Sequence, residues 1–144
     1  MTRHNKAAQR ATDRVLKELR AFGLAYPGAH TKSPWPGHLD LAVNDKTFAY
    51  LSLEGEPLHI SCKLPHTGMV ALALPFTEPT GYGLGKTGWV SATFESDAPP
   101  VEMLKQWIDE SYRAQAPKKL VATLDGKAAP AKTKAGANAK KRRA

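Results

Sequence analysis

The sequence has 144 residues, a formal net charge of +8 and a single cysteine. This length suffices for one ordinary domain with its own core but not for two. One cysteine excludes an internal disulfide framework, and no apolar run approaches the roughly 20 residues that span a bilayer. Because the amino-terminal stretch also lacks the apolar segment of a secretory signal, we expect a cytoplasmic protein.

The positive charge lies at one end of the chain. Residues 1–116 contain 12 basic and 12 acidic side chains, whereas residues 117–144, the basic tail, contain nine basic side chains and one acidic one. The tail is mainly Lys, Ala, Pro and Thr, so it has little apolar surface to offset the entropic cost of ordering. We therefore predict a neutral folded domain over 1–116 and a disordered basic tail over 117–144.

The apolar periodicity changes from helical to alternating along the first half of the domain. Apolar residues recur every three or four positions over residues 6–22, which predicts an amphipathic helix with Asn5 as its cap and Gly23 as its left-handed end. Turns that join antiparallel neighbours are predicted at residues 44–46 and 54–57. Between and around them, short alternating runs predict strands over Ala29–Trp35, His38–Val43, Thr47–Leu53 and Leu58–Leu64.

The second half of the domain combines two more helices with one strand. Residues 65–74 predict a short, largely buried helix, and Gly88–Phe94 alternate as a returning strand. A last helix is predicted from Ser96 or Asp97 to about Ala114. This order predicts an α+β fold, in which an antiparallel meander sheet carries the N-terminal and C-terminal helices on one face as a two-layer sandwich.

Glycines are concentrated between the short helix and the returning strand. Gly83–Gly88 reads G-x-G-x-x-G, and Gly85-Lys86-Thr87 resembles the end of a phosphate-binding loop. Both kinds of nucleotide site need a strand before the glycines and a helix after them. Here a proline-rich segment precedes the glycines and a strand follows, so we interpret them as turn residues with positive φ.

Four segments of the domain, taken in order, resemble segments of a known protein family. They are a Lys-x-Phe-x-x-Leu-Ser-Leu strand at Lys46–Leu53, a strand ending in lysine at Ile60–Lys63, a Gly-Tyr pair leading to Lys-x-x-Trp within Gly81–Trp89, and an Ile-Asp-x-Ser-Tyr run in a helix at Ile108–Tyr112. In this order and spacing they resemble the MmcQ/YjbR family, over roughly residues 16–114. The resemblance implies a fold similar to bacterial frataxin (CyaY-like) and a role in DNA binding. The long basic tail is not a hallmark of that family.

Basic side chains are the candidate nucleic-acid contacts. In the domain, Lys46, Lys63 and Lys86 fall at strand ends or in loops, where they could surround one end of the sheet and meet phosphate. Trp89 follows them as an aromatic surface on which a base could stack. Tail cations would neutralise phosphates whatever the base sequence, and such binding weakens as salt rises. The tail candidates are Lys118, Lys119, Lys132, Lys134, Lys140, Lys141, Arg142 and Arg143.

These observations predict a non-enzymatic DNA-binding protein that contacts phosphate mainly through its tail, with a contribution from the domain. The alternative is a module that binds a protein or a small ligand and whose tail affects only solubility or location. Neither the histidine spacing nor the single cysteine is typical of a metal site, and no nucleophile has catalytic partners, so we predict no cofactor. Frataxin-like iron handling would need an acidic ridge, whereas Asp13 and Glu18 alternate with basic side chains.

Overall fold

The computed structural model describes residues 3–33, 39–81, 83–94 and 100–128, which form four α-helices and six β-strands. The helices are α1 (Arg3–Leu24), α2 (Gly68–Ala71), α3 (Val101–Gln115) and α4 (Lys118–Ala128). The strands are β1 (Ala29–Lys32), β2 (Asp40–Val43), β3 (Lys46–Leu51), β4 (Leu58–Lys63), β5 (Thr77–Pro79) and β6 (Trp89–Phe94). A short 3₁₀ turn, Leu84–Thr87, lies between β5 and β6.

The six strands form one antiparallel sheet in the order β1-β2-β3-β4-β6-β5. The first four strands follow one another as a meander, and α1 and α3 pack against the same face. The predicted two-layer α+β fold is therefore confirmed. No sequence pattern indicated β5, because this edge strand has three residues and includes Pro79, which cannot donate a ladder hydrogen bond.

The core lies between the sheet and the two long helices. As predicted, the apolar residues of β4 alternate inward, and Leu58, Ile60 and Cys62 are fully buried. They meet the apolar stripe of α3, in which Leu104 and Ile108 are also fully buried. Burial at alternate strand positions and at three- to four-residue helical spacing is what a sheet and a helix require to share one core.

A β-bulge changes one predicted strand face. The alternation of β3 predicted that Phe48 and Tyr50 point to the same side, but the pairing with β2 skips Phe48, since Leu41 pairs with Ala49 and Ala42 with Thr47. A bulge turns two consecutive side chains to one face. Phe48 is therefore fully buried under the helices, with its ring centroid 5.2 Å from that of Tyr112, whereas Tyr50 points to the opposite face.

The first helix is longer than predicted at both ends. It begins at Arg3, ahead of the predicted cap Asn5, and it continues through Gly23 to Leu24. The glycine with a left-handed conformation is Gly28, with φ of 73°, in the turn that leads to β1. Gly23 instead permits close packing, because a Cβ at this position would overlap the side chain of Leu41.

Replacing Gly23 by alanine is expected to lower the free energy of unfolding by about 1–2 kcal/mol, although alanine is the better helix former. The cost of crowding the buried Leu41 side chain outweighs the gain of about 1 kcal/mol in helix propensity. Urea unfolding checks the sign. The control is Ala21→Gly, at an exposed position of the same helix, which should lose about 1 kcal/mol through propensity alone. A stabilised Gly23→Ala variant would contradict the packing argument.

The predicted short helix is present as α2, but it is not largely buried. Gly68 and Ala71 face the protein, whereas Met69 and Val70 are 88% and 75% exposed. A single helical turn buries only one side, and the continuous apolar run of residues 69–74 did not reveal which side that was.

The predicted disorder of the tail is wrong for its first part. Residues 118–128 form α4, and Leu120, Val121 and Leu124 are partly buried against the core. The backbone of Gly28 lies close to the side chain of Leu120, which holds α4 near the start of β1. Apolar contact with the domain therefore offsets the ordering cost that composition alone suggested. The rest of the predicted tail, together with residues 34–38, Tyr82, Ser96 and Asp97, lies outside the described residues.

Candidate nucleic-acid interface

Three of the predicted contact lysines lie at one end of the sheet. Lys46 begins β3, Lys63 ends β4, and Lys86 lies in the turn directly before β6. Because β3, β4 and β6 are antiparallel neighbours, the start of β3, the end of β4 and the start of β6 meet at the same end. Three neighbouring strands span about 10 Å. We call Lys46, Lys63 and Lys86 the basic end.

Glycine-containing turns set the position of Lys86. The 3₁₀ turn lies between Gly83 and Gly88, whose φ angles are 80° and 95°, as the turn interpretation of these glycines predicted. Its ends are fixed by hydrogen bonds, since Gly85 N donates to Thr80 O at 2.9 Å and Leu64 N donates to Gly88 O at 2.8 Å. The second bond ties this turn to the end of β4. Lys86 is thereby exposed beside the strand that ends in Lys63.

Lys63 and Lys46 are fixed by their strands. The amide of Lys63 donates to Ser111 Oγ on α3 at 2.8 Å, and Lys63 pairs with Trp89 across β4 and β6. Lys46 pairs with Val43 across the predicted turn, in which Asn44 has a positive φ of 54°. The side chain of Lys46 is exposed, and that of Lys63 is partly exposed.

The basic tail begins beside the basic end. Gln115, the last residue of α3, donates from Nε2 to Thr47 O at 3.1 Å, next to Lys46. Lys118 and Lys119 follow as exposed residues of the first turn of α4. The other six predicted tail contacts lie outside the described residues: Lys132, Lys134, Lys140, Lys141, Arg142 and Arg143.

Among the described residues, the acidic side chains near these cations do not form ion pairs with them. Within the described part of the chain, neither the three lysines of the basic end nor Lys118 and Lys119 form an ion pair. Glu110, which lies at the same end, uses its carboxylate to accept hydrogen bonds from residues 66 and 67. Asp45 lies in the turn before Lys46. Unpaired exposed ammonium groups are suited to bind an external anion.

Trp89 is a packing residue in this structure. It is 4% exposed, and its ring centroid lies 5.2 Å from that of Tyr50, which points to the same face of the sheet, opposite the helices. A base can stack only on an exposed ring face. We therefore leave Trp89 out of the candidate interface, which consists of cations.

A buried hydroxyl network, which the sequence interpretation missed, lies on the sheet face opposite the helices. Ser61 Oγ lies 2.6 Å from Ser91 Oγ, which lies 2.9 Å from Thr80 Oγ1. Ser61 also contacts His59 Nε2 at 3.4 Å, and His59 Nδ1 lies 2.9 Å from Thr93 Oγ1. The signal in the sequence was the alternation of small polar residues with the apolar core residues of β4 and β6.

The buried hydroxyls of the network are hydrogen-bonded to one another and to His59. Ser61 is 2% exposed and shares its hydroxyl between Ser91 and His59. One partner of His59 is the hydroxyl of Thr93, which lies 2.9 Å from Nδ1. Such mutually bonded hydroxyls are what burial of polar side chains requires.

Metal and membrane features are not found in the described ranges of the chain. They contain no group of three or more His, Cys, Asp and Glu side chains that could hold a metal ion. They also contain no helix that is long and apolar enough to cross a bilayer.

Comparison with known proteins identifies the family. No curated protein matches the chain. The family model described as YjbR matches residues 24–114, a range that runs from the end of α1 to the last turn of α3 and stops before α4 and the basic tail. The resemblance carried by the four sequence segments is thereby confirmed, and the chain belongs to the MmcQ/YjbR family.

Proposed function

We propose that this protein is a non-enzymatic DNA-binding protein that contacts backbone phosphates with its basic end and its basic tail. The observation that carries the proposal is the meeting of Lys46, Lys63 and Lys86, from three separate chain segments, at the sheet end where α4 begins. Each lysine that neutralises a phosphate releases condensed counterions, and this release drives binding to any duplex.

The two cationic elements have different roles in this proposal. The basic end belongs to the rigid sheet, so it sets how the domain lies on the duplex. The tail carries nine of the 21 basic side chains and supplies most of the affinity without reading bases. Phosphate contact dominates this proposal, because the aromatic candidate Trp89 is buried.

We also propose a cytoplasmic location. The single cysteine, Cys62, is buried in β4, and burial raises the pKa of its thiol far above the ordinary range, so the unreactive thiol form persists. A free, unreactive thiol is compatible with a reducing compartment.

Salt dependence of duplex binding tests the proposal. For the full chain, the logarithm of the binding constant should fall linearly with the logarithm of salt concentration. Alanine at Lys46, Lys63 and Lys86 should reduce the slope by up to about 3, since each phosphate contact contributes about 0.9. Alanine at the six basic residues beyond 128 should reduce it by up to about 5.

The matched control replaces three exposed cations of α1, Arg10, Arg14 and Lys17, by alanine. This control removes the same charge as the basic-end variant and should leave the slope nearly unchanged. If both triple variants reduce the slope equally, binding follows net charge and the basic end has no special role. If the full chain does not bind duplex DNA at low salt, the proposed function is wrong and the interaction-module alternative takes its place.

The structure determines where the tail should be altered. Removing everything after residue 115 would also delete α4 and uncover the core residues against which Leu120, Val121 and Leu124 pack. A loss of binding would then be mixed with a loss of stability. Substitution of the basic residues beyond 128 avoids this problem because it leaves α4 intact.

A further inference from the structure

Three apolar side chains are exposed on and directly after α2. Met69 and Val70 are 88% and 75% exposed, and Leu72 is 40% exposed. The opposite side of this single turn, Gly68 and Ala71, is buried. Isolated apolar residues are ordinary on protein surfaces, but a cluster of three on one turn indicates a contact surface. We call Met69, Val70 and Leu72 the apolar tip.

Hydrogen bonds hold the apolar tip at both ends. Glu110 on α3 accepts from the amides of His66 at 2.7 Å and Thr67 at 3.1 Å, and from Thr67 Oγ1 at 2.8 Å. At the other end, Thr77 Oγ1 donates to the carbonyl of Ala71 at 2.7 Å. The backbone of α2 is thus already ordered before any partner binds, which removes one entropic cost of inserting its side chains.

The apolar tip lies beside the basic end. A Cβ at Gly68 would be 3.8 Å from the carbonyl oxygen of Gly88, so α2 packs against the turn that carries Lys86. Gly68 N donates to Leu64 O at 3.0 Å, directly after Lys63. The buried side of α2 therefore adjoins the end of β4, which carries Lys63, and the turn before β6, which carries Lys86.

We propose that the apolar tip inserts between base pairs from the minor groove of DNA while the basic end binds the neighbouring phosphates. This inference rests on the proposed DNA binding and adds a mode of contact to it. Apolar wedges, Met among them, are used by minor-groove proteins to unstack a base step and kink the duplex. The preferred site is a pyrimidine–purine step, because such steps deform at the lowest cost.

DNA fits this surface better than a protein or a membrane does. A stable protein interface buries about 800 Å² on each partner, far more than one helical turn presents. Helices that lie in a membrane surface present a long apolar face, whereas α2 has four residues. A small apolar protrusion beside cations matches a base step and the phosphates next to it.

The test uses the full chain and a short duplex with 2-aminopurine beside a TA step and fluorophores on its ends. Binding of the wild type should raise the 2-aminopurine fluorescence and shorten the end-to-end distance. The variants Met69→Ser and Val70→Ser should lose most of both signals. Their affinity should fall by no more than about tenfold. The variants lose the contacts of the inserted side chains, but they also avoid the free-energy cost of unstacking a base step.

Two further variants separate insertion from other effects. Leu53→Ser changes an apolar side chain of 36% exposure at the opposite end of the sheet and should leave both signals unchanged. Met69→Lys adds a cation at the tip, so it should keep or raise affinity while it abolishes the bend. Because Met69 is exposed, both Met69 variants should retain the wild-type unfolding midpoint.

Each remaining outcome overturns the inference in a different way. If the wild type binds the duplex and the Met69 and Val70 variants bend it equally, insertion is wrong but DNA binding stands. If the wild type does not bind the duplex, both proposals fail. If the bend is independent of Met69 while binding to phosphatidylserine–phosphatidylcholine vesicles depends on it, the tip is a membrane contact instead.

Discussion

Replacing Tyr112 by alanine is expected to lower the free energy of unfolding by about 3–5 kcal/mol, the largest effect of any single substitution considered for this chain. Tyr112 is fully buried on α3, stacks on Tyr26 with ring centroids 4.5 Å apart, and meets Phe48 edge-on. Because domains of this size are stable by about 5–15 kcal/mol, the loss removes a large part of the total. The urea midpoint should fall by about 2 M.

The conservative variant separates the ring from its hydroxyl. Tyr112 Oη donates to the carbonyl of Pro27 at 2.7 Å, so Tyr112→Phe removes this hydrogen bond and keeps the packing. We expect a loss of about 1–2 kcal/mol. If Tyr112→Ala were no worse than Tyr112→Phe, the aromatic cluster would not contribute to stability, contrary to the geometry.

Alkaline conditions above about pH 10 are expected to destabilise the folded protein. Burial raises the pKa of the hydroxyls of Tyr26, Tyr50 and Tyr112 above their ordinary value of 10.0. The hydrogen bond from Tyr26 Oη to Asp109, at 2.6 Å, adds to its shift. Burial also raises the pKa of the Cys62 thiol from its ordinary value of 9.0.

The direction of the effect follows from proton binding. Each of these groups keeps its proton in the folded state at a pH where the unfolded chain has already lost it. Their contribution to stability is therefore complete below about pH 9 and declines as pH rises through 9 to 10 and beyond. Urea unfolding at about pH 8 and about pH 11 measures the difference. Tyr26→Phe, which lacks one of the four groups, should show a smaller loss, and equal stability at both pH values would contradict the prediction.

Local sequence patterns predicted most of the fold, because they report burial directly. The alternation in β4 and the helical spacing in α3 each marked the side chains that now form the core, among them Ile60 and Ile108. The turn at Asn44 was equally local, since its left-handed conformation suits that residue type. Four segments in their order also sufficed to indicate the family.

The sequence predictions were wrong where contact with a segment far away in the chain determined the local structure. Gly23 is of a residue type that commonly ends helices, but it remains helical because Leu41 packs closely against it. Phe48 turns toward α3 because pairing with β2 skips it. The residues after Pro117 look too polar to fold, yet Leu120 and its neighbours are ordered by contact with the domain.

For the candidate interface, too, the sequence predicted some features and only the structure revealed others. The sequence identified the cations and their positions at strand ends, and strand order then brought Lys46, Lys63 and Lys86 to one end of the sheet. It did not identify the apolar tip, because Met69 and Val70 lie in a run that looks buried throughout. It also did not show that Trp89 is covered, which depends on packing across strands.

By itself, the sequence determined the fold class, the family, the neutral domain and the cationic tail, since periodicity, motif order and charge are properties of neighbouring residues. Only the tertiary structure decided which lysines meet, which apolar residues of α2 remain exposed and where the ordered chain continues into α4. Those outcomes depend on contacts between segments that are far apart in the chain, and their free energies are absent from any local pattern.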